Sequence, residues 1–450
     1  MPAHIQAAHK RPTSPWLILG FFTLAYALAY LDRQVLTLLI EPIRHSVGLS
    51  DTQLGLLQGG AFAICFALGG VPLGWLVDNG NRVRVASGCI AVWSIATGFT
   101  GLGTTYAQLL AARSATAVAE AGCSPAAISV FADVFAPRQL PRATAIYMSA
   151  PYIGGGAALF LGGLALHGFE QSGGLVLPLA GHLEPWQAVF VVLALPGLLL
   201  ALLMLLLLRE PPRLGSGAAS VRQTSLRETV RFIARESGHL PGYFLAYACI
   251  LAALFSLLTW YPALAVRAGY GEAAAVGRPL GLAFMVCGIA GTLGAQWIVG
   301  KVADQDVLPR VLRIARWMTL AVGALALAQW STASFMPSLA CYALAILATS
   351  VLTSIMPIPL QVGVPNRMRG RVTGLFLLSV NLVGVTLGTA LIGAISDAFG
   401  GSAAALAAAM AGVIVACSAA AFLFLRRAAR RLPPPATIPP LTTKASNEAS

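Results

Sequence analysis

The stretch PWLILGFFTLAYALAYLDRQVLTLLI, from Pro15 to Ile40, is apolar over a length that crosses a bilayer, yet it contains adjacent charges at Asp32 and Arg33. An apolar run of about 18 or more residues predicts a transmembrane helix. A charged side chain at the centre of such a helix costs at least about 2.5 kcal/mol, so it normally faces protein or water and serves a function. The stretch therefore predicts a membrane span and a functional site together.

Similar apolar runs recur along the whole chain of 450 residues, which is 57% hydrophobic and 10% charged with a mean hydropathy of +0.78. A helix satisfies its own backbone hydrogen bonds in lipid, so an α-helical bundle is expected. The runs predict an all-α polytopic membrane protein with about twelve transmembrane helices, at roughly 15–40, 53–77, 85–104, 107–132, 143–166, 186–208, 241–266, 275–299, 311–331, 337–361, 372–396 and 402–425.

The formal charge of +13 reflects membrane topology rather than a nucleic-acid surface. If the N-terminus is cytoplasmic, 24 of the 29 Lys and Arg residues fall on the cytoplasmic side and three on the other. This asymmetry follows the positive-inside rule. It predicts a multi-pass protein of the bacterial inner membrane with both termini in the cytoplasm.

The order of the spans suggests two halves of six helices joined by a linker. The predicted boundaries are a cytoplasmic N-terminus at 1–14, an N-terminal bundle at 15–208, a linker at 209–240, a C-terminal bundle at 241–426 and a disordered Pro-rich tail at 427–450. Within the linker, apolar residues alternate with arginines at near-helical spacing between Val221 and Arg235. This pattern predicts an amphipathic helix on the membrane surface.

The fourth apolar run carries a second pair of charges, Arg113 and Glu120. Seven residues are about two helical turns, so both side chains project from one face. Helices one and four run in opposite directions, which places Arg33 and Arg113 at similar depth and Glu120 nearer the middle. Neighbouring residues point about 100° apart on a helix, so only one member of the Asp32–Arg33 pair can face a cavity directly. We expect this to be Arg33, which shares a face with Tyr26 and Tyr30.

The turn after the second run resembles the signature loop of the major facilitator superfamily. It supplies the characteristic residues Gly74, Leu76, Asp78 and Arg82, but has Asn79 and Asn81 where that family usually has Arg and Gly. A second Gly-to-Asp segment, from Gly300 to Asp304, repeats this spacing 226 residues later. The resemblance implies two pseudo-symmetric six-helix bundles with a binding site between them. It also implies a cytoplasmic latch that holds one conformation, formed by Gly74, Asp78, Arg82, Asp133 and Arg142.

Asp78 and Arg82 could pair across this turn. The alternative interpretation is a solvated turn with ordinary cytoplasmic arginines.

The pattern Tyr30-Leu31-Asp32-Arg33, together with Arg113 and Glu120, resembles two branches of that superfamily, the spinster-like transporters and the anion:cation symporters. The segment PLGWLVDNGNR, from Pro72 to Arg82, favours the spinster-like branch. The resemblance implies that Asp32 and Glu120 serve proton coupling and that Arg33 and Arg113 bind an anionic group.

The residue types themselves support proton coupling and anion binding, independently of the family resemblance. Burial favours a neutral carboxylic acid, a nearby arginine favours the carboxylate, and arginine suits carboxylate or phosphate ligands. The alternative is a structural quartet that holds helix one to helix four.

In the C-terminal half, no Asp, Glu, Lys or Arg occurs in the apolar stretches 241–266, 279–299, 317–361, 372–396 and 402–425. A cavity between the halves would therefore be charged on one wall and mostly apolar on the other. We assign substrate contacts to Arg33, Arg113, Tyr26, Tyr30, Tyr152, Trp260 and Asn381.

These features predict a secondary active transporter, coupled to protons, that moves an amphipathic or lysolipid-like organic anion. The alternative is a proton symporter that imports a small hydrophilic organic acid such as a sugar acid. An enzyme is not expected, since the six histidines lack ligand spacing and the residues show no catalytic set or metal site. No cofactor, nucleic-acid partner or ATP-binding loop is expected, and the protein is predicted to be a monomer in the bilayer.

Overall fold

A computed structural model describes residues 13–136, 138–178, 181–213, 225–300 and 307–432. Within these ranges, twelve helices are long and apolar enough to cross a membrane. They are α1 (Pro15–Leu38), α2 (Asp51–Asn79), α3 (Arg82–Leu102), α4 (Tyr106–Val134), α5 (Leu140–Ser172), α6 (Pro185–Leu207), α7 (Leu240–Arg267), α8 (Ala273–Val299), α9 (Val307–Trp330), α10 (Phe335–Gln361), α11 (Arg371–Ala398) and α12 (Ala403–Arg430).

The helix count expected from the sequence is confirmed, and most boundaries agree within a few residues. The largest difference is α5, which has 33 residues because it continues past its apolar run into polar residues at both ends. The predicted start of the tail was wrong. The last helix continues through Arg430 instead of ending at 426, since the arginines of its last turn are compatible with the negative end of the helix dipole. Residues 433–450 lie outside the described residues.

Four of the spans are interrupted at defined positions. The tenth leaves α-helical geometry at Met356 and Pro357. The fourth leaves α-helical geometry at Ala121 and Gly122, directly after Glu120. In α2 and α11, π-helical segments occupy Leu56–Gly60 and Val380–Val385. π-helical segments occur often at functional sites. The break at Ala121 and Gly122 places Glu120 at the end of a helical segment.

The helices pack as two bundles, α1–α6 and α7–α12. Within them, α1 packs on α5, α3 on α6, and α12 on both α7 and α9, while α5 contacts α8 and α2 contacts α11 across the bundles. Glycines permit these close approaches. A Cβ atom at Gly281 of α8 would lie 2.5 Å from the carbonyl oxygen of Gly156 in α5, and one at Gly55 of α2 would lie 2.6 Å from the carbonyl oxygen of Thr389 in α11. Small residues serve such packing in membranes, where the lipid is as apolar as the side chains.

The connecting segments define two faces of the molecule. The described ends of the chain lie beside the ends of the linker, since Thr13 contacts Arg209 and Gly238 lies near Arg431. We call this the linker face and the other the opposite face. The described part of the linker contains a helix at Leu226–Arg231 followed by a π-helical turn. Part of the predicted amphipathic helix, including Val221, lies outside the described residues.

The opposite face carries two elements that the apolar pattern did not predict. A short helix, Ile40–Val47, follows α1. A small hairpin of β1 (Leu175–Leu177) and β2 (Gly181–Leu183) connects α5 to α6. Both are connections rather than spans, so they leave the all-α membrane fold unchanged.

Candidate functional site

Asp32 lies inside the N-terminal bundle and is bound by two other helices. Arg113 Nη1 of α4 donates to Asp32 Oδ2 at 2.7 Å, and Thr97 Oγ1 of α3 donates to Asp32 Oδ1 at 2.7 Å. The side chains of Arg113 and Asp32 are only 1% and 6% exposed. This pair therefore joins α1, α3 and α4 in an environment without bulk water.

Arg33, the next residue, points in another direction and pairs with Glu120. Its Nε donates to Glu120 Oε2 at 2.6 Å, and its Nη2 forms an ion pair with the same oxygen. Glu120 is fully buried, while 20% of the Arg33 side chain is exposed. Asp32 thus faces neighbouring helices, and Arg33 is the more accessible member of the pair.

Aromatic rings surround the Arg33 guanidinium. Its Cζ lies 5.2 Å from the ring centroid of Tyr30, 4.6 Å from that of Phe62 and 5.2 Å from that of Phe66. Phe62 also lies 5.2 Å from Cζ of Arg113, so the two arginines lie at similar depth on one ring, as the helix directions predict. Each ring face attracts a cation, which holds the guanidinium in place while leaving donors available to a ligand.

Two buried polar atoms of this quartet have no hydrogen-bond partner among the described residues, Glu120 Oε1 and Arg113 Nε. A buried polar atom without a partner is unfavourable, and such atoms are common where a ligand, water or proton binds. Because Oε1 is the free oxygen of the acid that holds Arg33, a proton could bind there without disturbing the carboxylate oxygen in the ion pair.

The structure distributes the other predicted substrate residues unevenly. Tyr26 and Tyr30 contact one another edge to face and stay near Arg33. Tyr152 of α5 makes a 3.0 Å hydrogen bond with Thr353 of α10, between the bundles. Trp260 is fully buried, and its indole N–H donates to the Thr389 carbonyl oxygen at 3.0 Å.

In this conformation the Trp260 ring is enclosed between α7 and α11, and its assignment to substrate binding stays a prediction. Asn381 is exposed and donates to the carbonyl oxygen of Leu377 in its own helix. No contact among the described residues joins either side chain to the quartet.

Arg82, at the centre of the predicted latch, has different partners from the one that the sequence suggested. Arg82 does not pair with Asp78. It begins α3, is 1% exposed, and pairs with Asp133 and with Glu210 Oε1, the latter at 2.6 Å. The Asp78 residue is exposed, so its carboxylate stays in water while Arg82 points into the bundle.

The remaining latch residues lie around this centre. Arg142 lies over the ring of Trp16, with its Cζ 5.5 Å from the centroid. Gly74 has open space where a Cβ would lie. The linker-face end of the N-terminal bundle is thus joined through Arg82, Asp133 and Glu210, and the contribution of Glu210 was not predicted.

A second ion cluster joins the two bundles at the opposite face. Arg267, at the end of α7, binds both carboxylate oxygens of Asp51 at 2.7 and 2.5 Å, and its Nε binds Glu41 at 2.7 Å. Asp397 of α11 accepts the backbone N–H groups of Asp51 and Thr52 at the start of α2. Glu41, Asp51 and Thr52 belong to the N-terminal bundle and Arg267 and Asp397 to the C-terminal one. The opposite face is therefore closed by charge-assisted hydrogen bonds in this structure.

Sequence reasoning missed several of these residues. Thr97 gave no signal, because a threonine in an apolar helix usually bonds its own backbone. Phe62 and Phe66 look like ordinary core residues, although their spacing of four places both rings on one helix face. Arg267 was counted only as a topology charge, and its partners lie more than 200 positions away along the chain.

Comparison with known proteins gives a family match over most of the chain. The model of the Major Facilitator Superfamily matches residues 22–385. A solved bacterial homologue of the human lysosomal transporter Spinster, in an inward-facing and unoccupied conformation, superposes with a TM-score of 0.73. It is 25% identical, and the alignment covers 92% of this chain and 95% of that one.

Two relatives are similar at the level of sequence. An MFS-type efflux pump of Mycolicibacterium smegmatis is 31% identical over 299 residues, which cover 65% of this chain and 63% of the pump. A probable galactarate/D-glucarate transporter of Bacillus subtilis is 26% identical over 350 residues, or 72% of each protein. The relatives thus include both of the branches that the motifs around Asp32 and Glu120 resemble.

Proposed function

Because the chain belongs to the Major Facilitator Superfamily, we propose that it is a proton-coupled secondary transporter that moves an amphipathic organic anion by alternating access. Family and fold indicate a multi-pass membrane transporter rather than an enzyme. In this proposal the linker face is cytoplasmic, because it carries most of the arginines. The protein would work as a monomer in the bacterial inner membrane with both termini inside.

The observation that carries the proposal is the contact between Arg33 and Glu120. A guanidinium that is 20% exposed, held by one buried acid and surrounded by Tyr30, Phe62 and Phe66, offers a cationic site beside apolar surface. Its forked donors suit a carboxylate or a phosphate. An organic anion would bind Arg33 through its charged group and lie against the aromatic rings with its apolar part.

Binding of the anion supplies a way to couple transport to protons. An anion on Arg33 competes with Glu120 for the same donors, and a buried carboxylate that loses its cation is strongly disfavoured. Glu120 therefore gains a proton as the anion binds and returns it when the ion pair with Arg33 forms again. Asp32 and Arg113 take part more indirectly, because their pair shares Phe62 with Arg33 and holds α1 against α4.

The amphipathic character of the substrate is supported by the contrast between the bundles. The four charges of the quartet all belong to α1 and α4, whereas the charged residues of α7–α12, among them Arg278, Arg313 and Arg316, lie towards the helix ends and the inner side chains are mostly apolar or aromatic. An anion with an apolar body matches one charged wall and one apolar wall. The similarity to the bacterial homologue of Spinster over 92% of this chain supports the same choice of branch.

Transport measurements in proteoliposomes test the coupling. With an imposed pH gradient, the natural protein should accumulate or expel a lysophospholipid, whereas Glu120→Gln should lose the gradient-driven component and retain exchange. Glu170→Gln is a matched control, because Glu170 is an exposed acid of α5 outside the quartet. Unchanged gradient-driven transport in both Glu120→Gln and Asp32→Asn would refute proton coupling through these acids.

A second candidate function is proton-coupled uptake of a small sugar acid. It is favoured by the similarity to the probable galactarate/D-glucarate transporter of Bacillus subtilis, which spans 72% of this chain. Thermal unfolding with added ligands separates the two candidates. Stabilisation by galactarate or glucarate but not by lysophospholipids would favour this candidate, and the reverse result would favour the amphipathic anion.

A further inference from the structure

Seven arginines lie at the linker-face ends of two neighbouring helices of the C-terminal bundle. They are Arg310, Arg313 and Arg316 of α9 and Arg426, Arg427, Arg430 and Arg431 at the end of α12. Neither α9 nor α12 contains an Asp or a Glu. Among the described residues, the end of this helix pair is therefore strongly basic.

Two contacts establish how the arginines of one helix align with those of the other. The rings of Trp317 in α9 and Phe422 in α12 lie 6.5 Å apart, and Gly323 packs on Ser418. As the numbers rise in α9 they fall in α12, so the helices are antiparallel. One turn from the Trp317–Phe422 contact towards the linker face, Arg313 lies level with Arg426. One turn further, Arg310 lies level with Arg430. We call these four residues the arginine ladder.

Within the described ranges, the ladder arginines have no protein partner. None of the seven arginines makes an ion pair or a side-chain hydrogen bond with any residue in the described ranges, and Arg316 Nε is buried without a partner. The N-terminal bundle differs at the same face. There Arg82 pairs with Asp133 and Glu210, and Arg213 donates to backbone carbonyl groups of Val77, Asp78 and Gly80.

The surface next to the ladder is apolar and faces outward. Trp317 is 59% exposed and Leu423 is also 59% exposed, and both lie about one turn from the ladder towards the middle of the membrane. Tryptophan at this depth is typical of the boundary between headgroups and acyl chains. The pair of helices thus offers adjacent sites for phosphate and for hydrocarbon on one lipid-facing surface.

We propose that the arginine ladder and Trp317 bind one phospholipid with two phosphates, of the diphosphatidylglycerol class, in the leaflet next to the linker face. The two levels of the ladder are separated by about 4.5–6 Å of helix rise, so each level can bind one phosphate of a headgroup whose phosphates are joined by a three-carbon bridge. Basic surfaces between transmembrane helices on the cytoplasmic side recognise such headgroups. A lipid with one phosphate would leave one level of the ladder without an anion.

Native mass spectrometry of the full-length protein in mild detergent tests this site, with diphosphatidylglycerol, phosphatidylglycerol and phosphatidylcholine titrated separately. The natural protein should bind one diphosphatidylglycerol molecule more tightly than either other lipid. The double variant Arg313→Gln/Arg426→Gln should weaken that binding by about tenfold, since each surface arginine contributes separately to attraction of an anionic lipid. Trp317→Ala should weaken it to a smaller extent.

The control is Arg84→Gln/Arg138→Gln, which removes the same charge from exposed arginines of the N-terminal bundle. Equal lipid binding by the ladder variant and this control would overturn the proposal. So would equal affinity of the natural protein for the lipids with one and two phosphates. Complete competition by inorganic pyrophosphate would assign the ladder to a soluble anion and would also overturn it.

Discussion

The two ion pairs between α1 and α4 involve adjacent residues of α1, Asp32 and Arg33, but differ in their surroundings. Asp32 and Arg113 are both buried, and Thr97 supplies a third contact from α3. In the other pair Glu120 is equally buried, but Arg33 is 20% exposed and lies among aromatic rings. One pair is enclosed by protein and the other is open at its arginine.

This difference suggests which pair changes during transport. An enclosed pair is costly to break because its charges have no water to replace the lost partner. An open pair can exchange one partner for a ligand, since part of the guanidinium side chain is already exposed. We therefore expect Asp32–Arg113 to hold the three helices together and Arg33–Glu120 to break and form again in each cycle.

The largest expected effect tests this difference directly. Arg113→Gln leaves Asp32 buried with Thr97 alone and should lower the free energy of unfolding by about 3–5 kcal/mol. Arg33→Gln should lower it less, because Glu120 can take up a proton on its free oxygen Oε1 when the cation is lost, while it abolishes binding of the anion. Denaturant unfolding in detergent micelles measures both variants.

Asp32→Asn/Arg113→Gln is the control for the enclosed pair. It removes both charges and should recover much of the stability that Arg113→Gln loses. Equal destabilisation by Arg113→Gln and Arg33→Gln would contradict the division between an enclosed and an open pair.

A smaller effect is expected at the opposite face, where ion pairs join the bundles instead of lying within one. Arg267→Gln removes the contacts to Glu41 and Asp51. Loss of one partner of a buried charge pair costs about 2–5 kcal/mol. Here the loss destabilises the state that is closed at this face. The equilibrium should shift towards the state open at this face by at least about tenfold.

Spin labels introduced by His45→Cys and Phe399→Cys on a cysteine-free background report this shift as a longer interbundle distance, because both residues are exposed beside the cluster. Arg278→Gln, at an exposed position of α8 near the same face, should leave the distance distribution unchanged. An unchanged distribution in Arg267→Gln would show that the cluster does not hold the face closed.

The smallest effect is expected at the third contact of the enclosed pair. Thr97→Val removes the hydrogen bond to Asp32 and should lower the free energy of unfolding by about 1 kcal/mol. Thr100→Val is a close control, since Thr100 is equally buried in α3 but its hydroxyl bonds only the Ala96 carbonyl oxygen. Equal loss in the two variants would indicate that Thr97 contributes no more than its own helix contact.

The sequence predicted the four charged residues of the quartet because charge in an apolar helix is exceptional. Helix geometry separates adjacent residues by about 100°, so only one of Asp32 and Arg33 was expected to face a cavity, and the face shared with Tyr26 and Tyr30 favoured Arg33. The sequence did not predict which acid pairs with which arginine. Each pairing depends on the rotation and depth of α1 against α4, and apolar periodicity does not determine these quantities.

The surroundings of Trp260 and Arg82 depend on packing for the same reason. Trp260 has a type and a depth suited to substrate, but its indole is enclosed by the packing of α7 on α11. Arg82 was expected near Asp78 because the two are four residues apart, yet Asp133 and Glu210 approach it from other helices.

The sequence alone determined the membrane-spanning class, the number of helices and the four buried charges, because these depend on hydropathy and on the cost of charge in lipid. The tertiary structure alone decided that Asp32 pairs with Arg113 and that Glu120 pairs with Arg33. It also decided that Arg267 closes the opposite face. These contacts join residues between 81 and 226 positions apart, so they exist only once packing has brought different helices together.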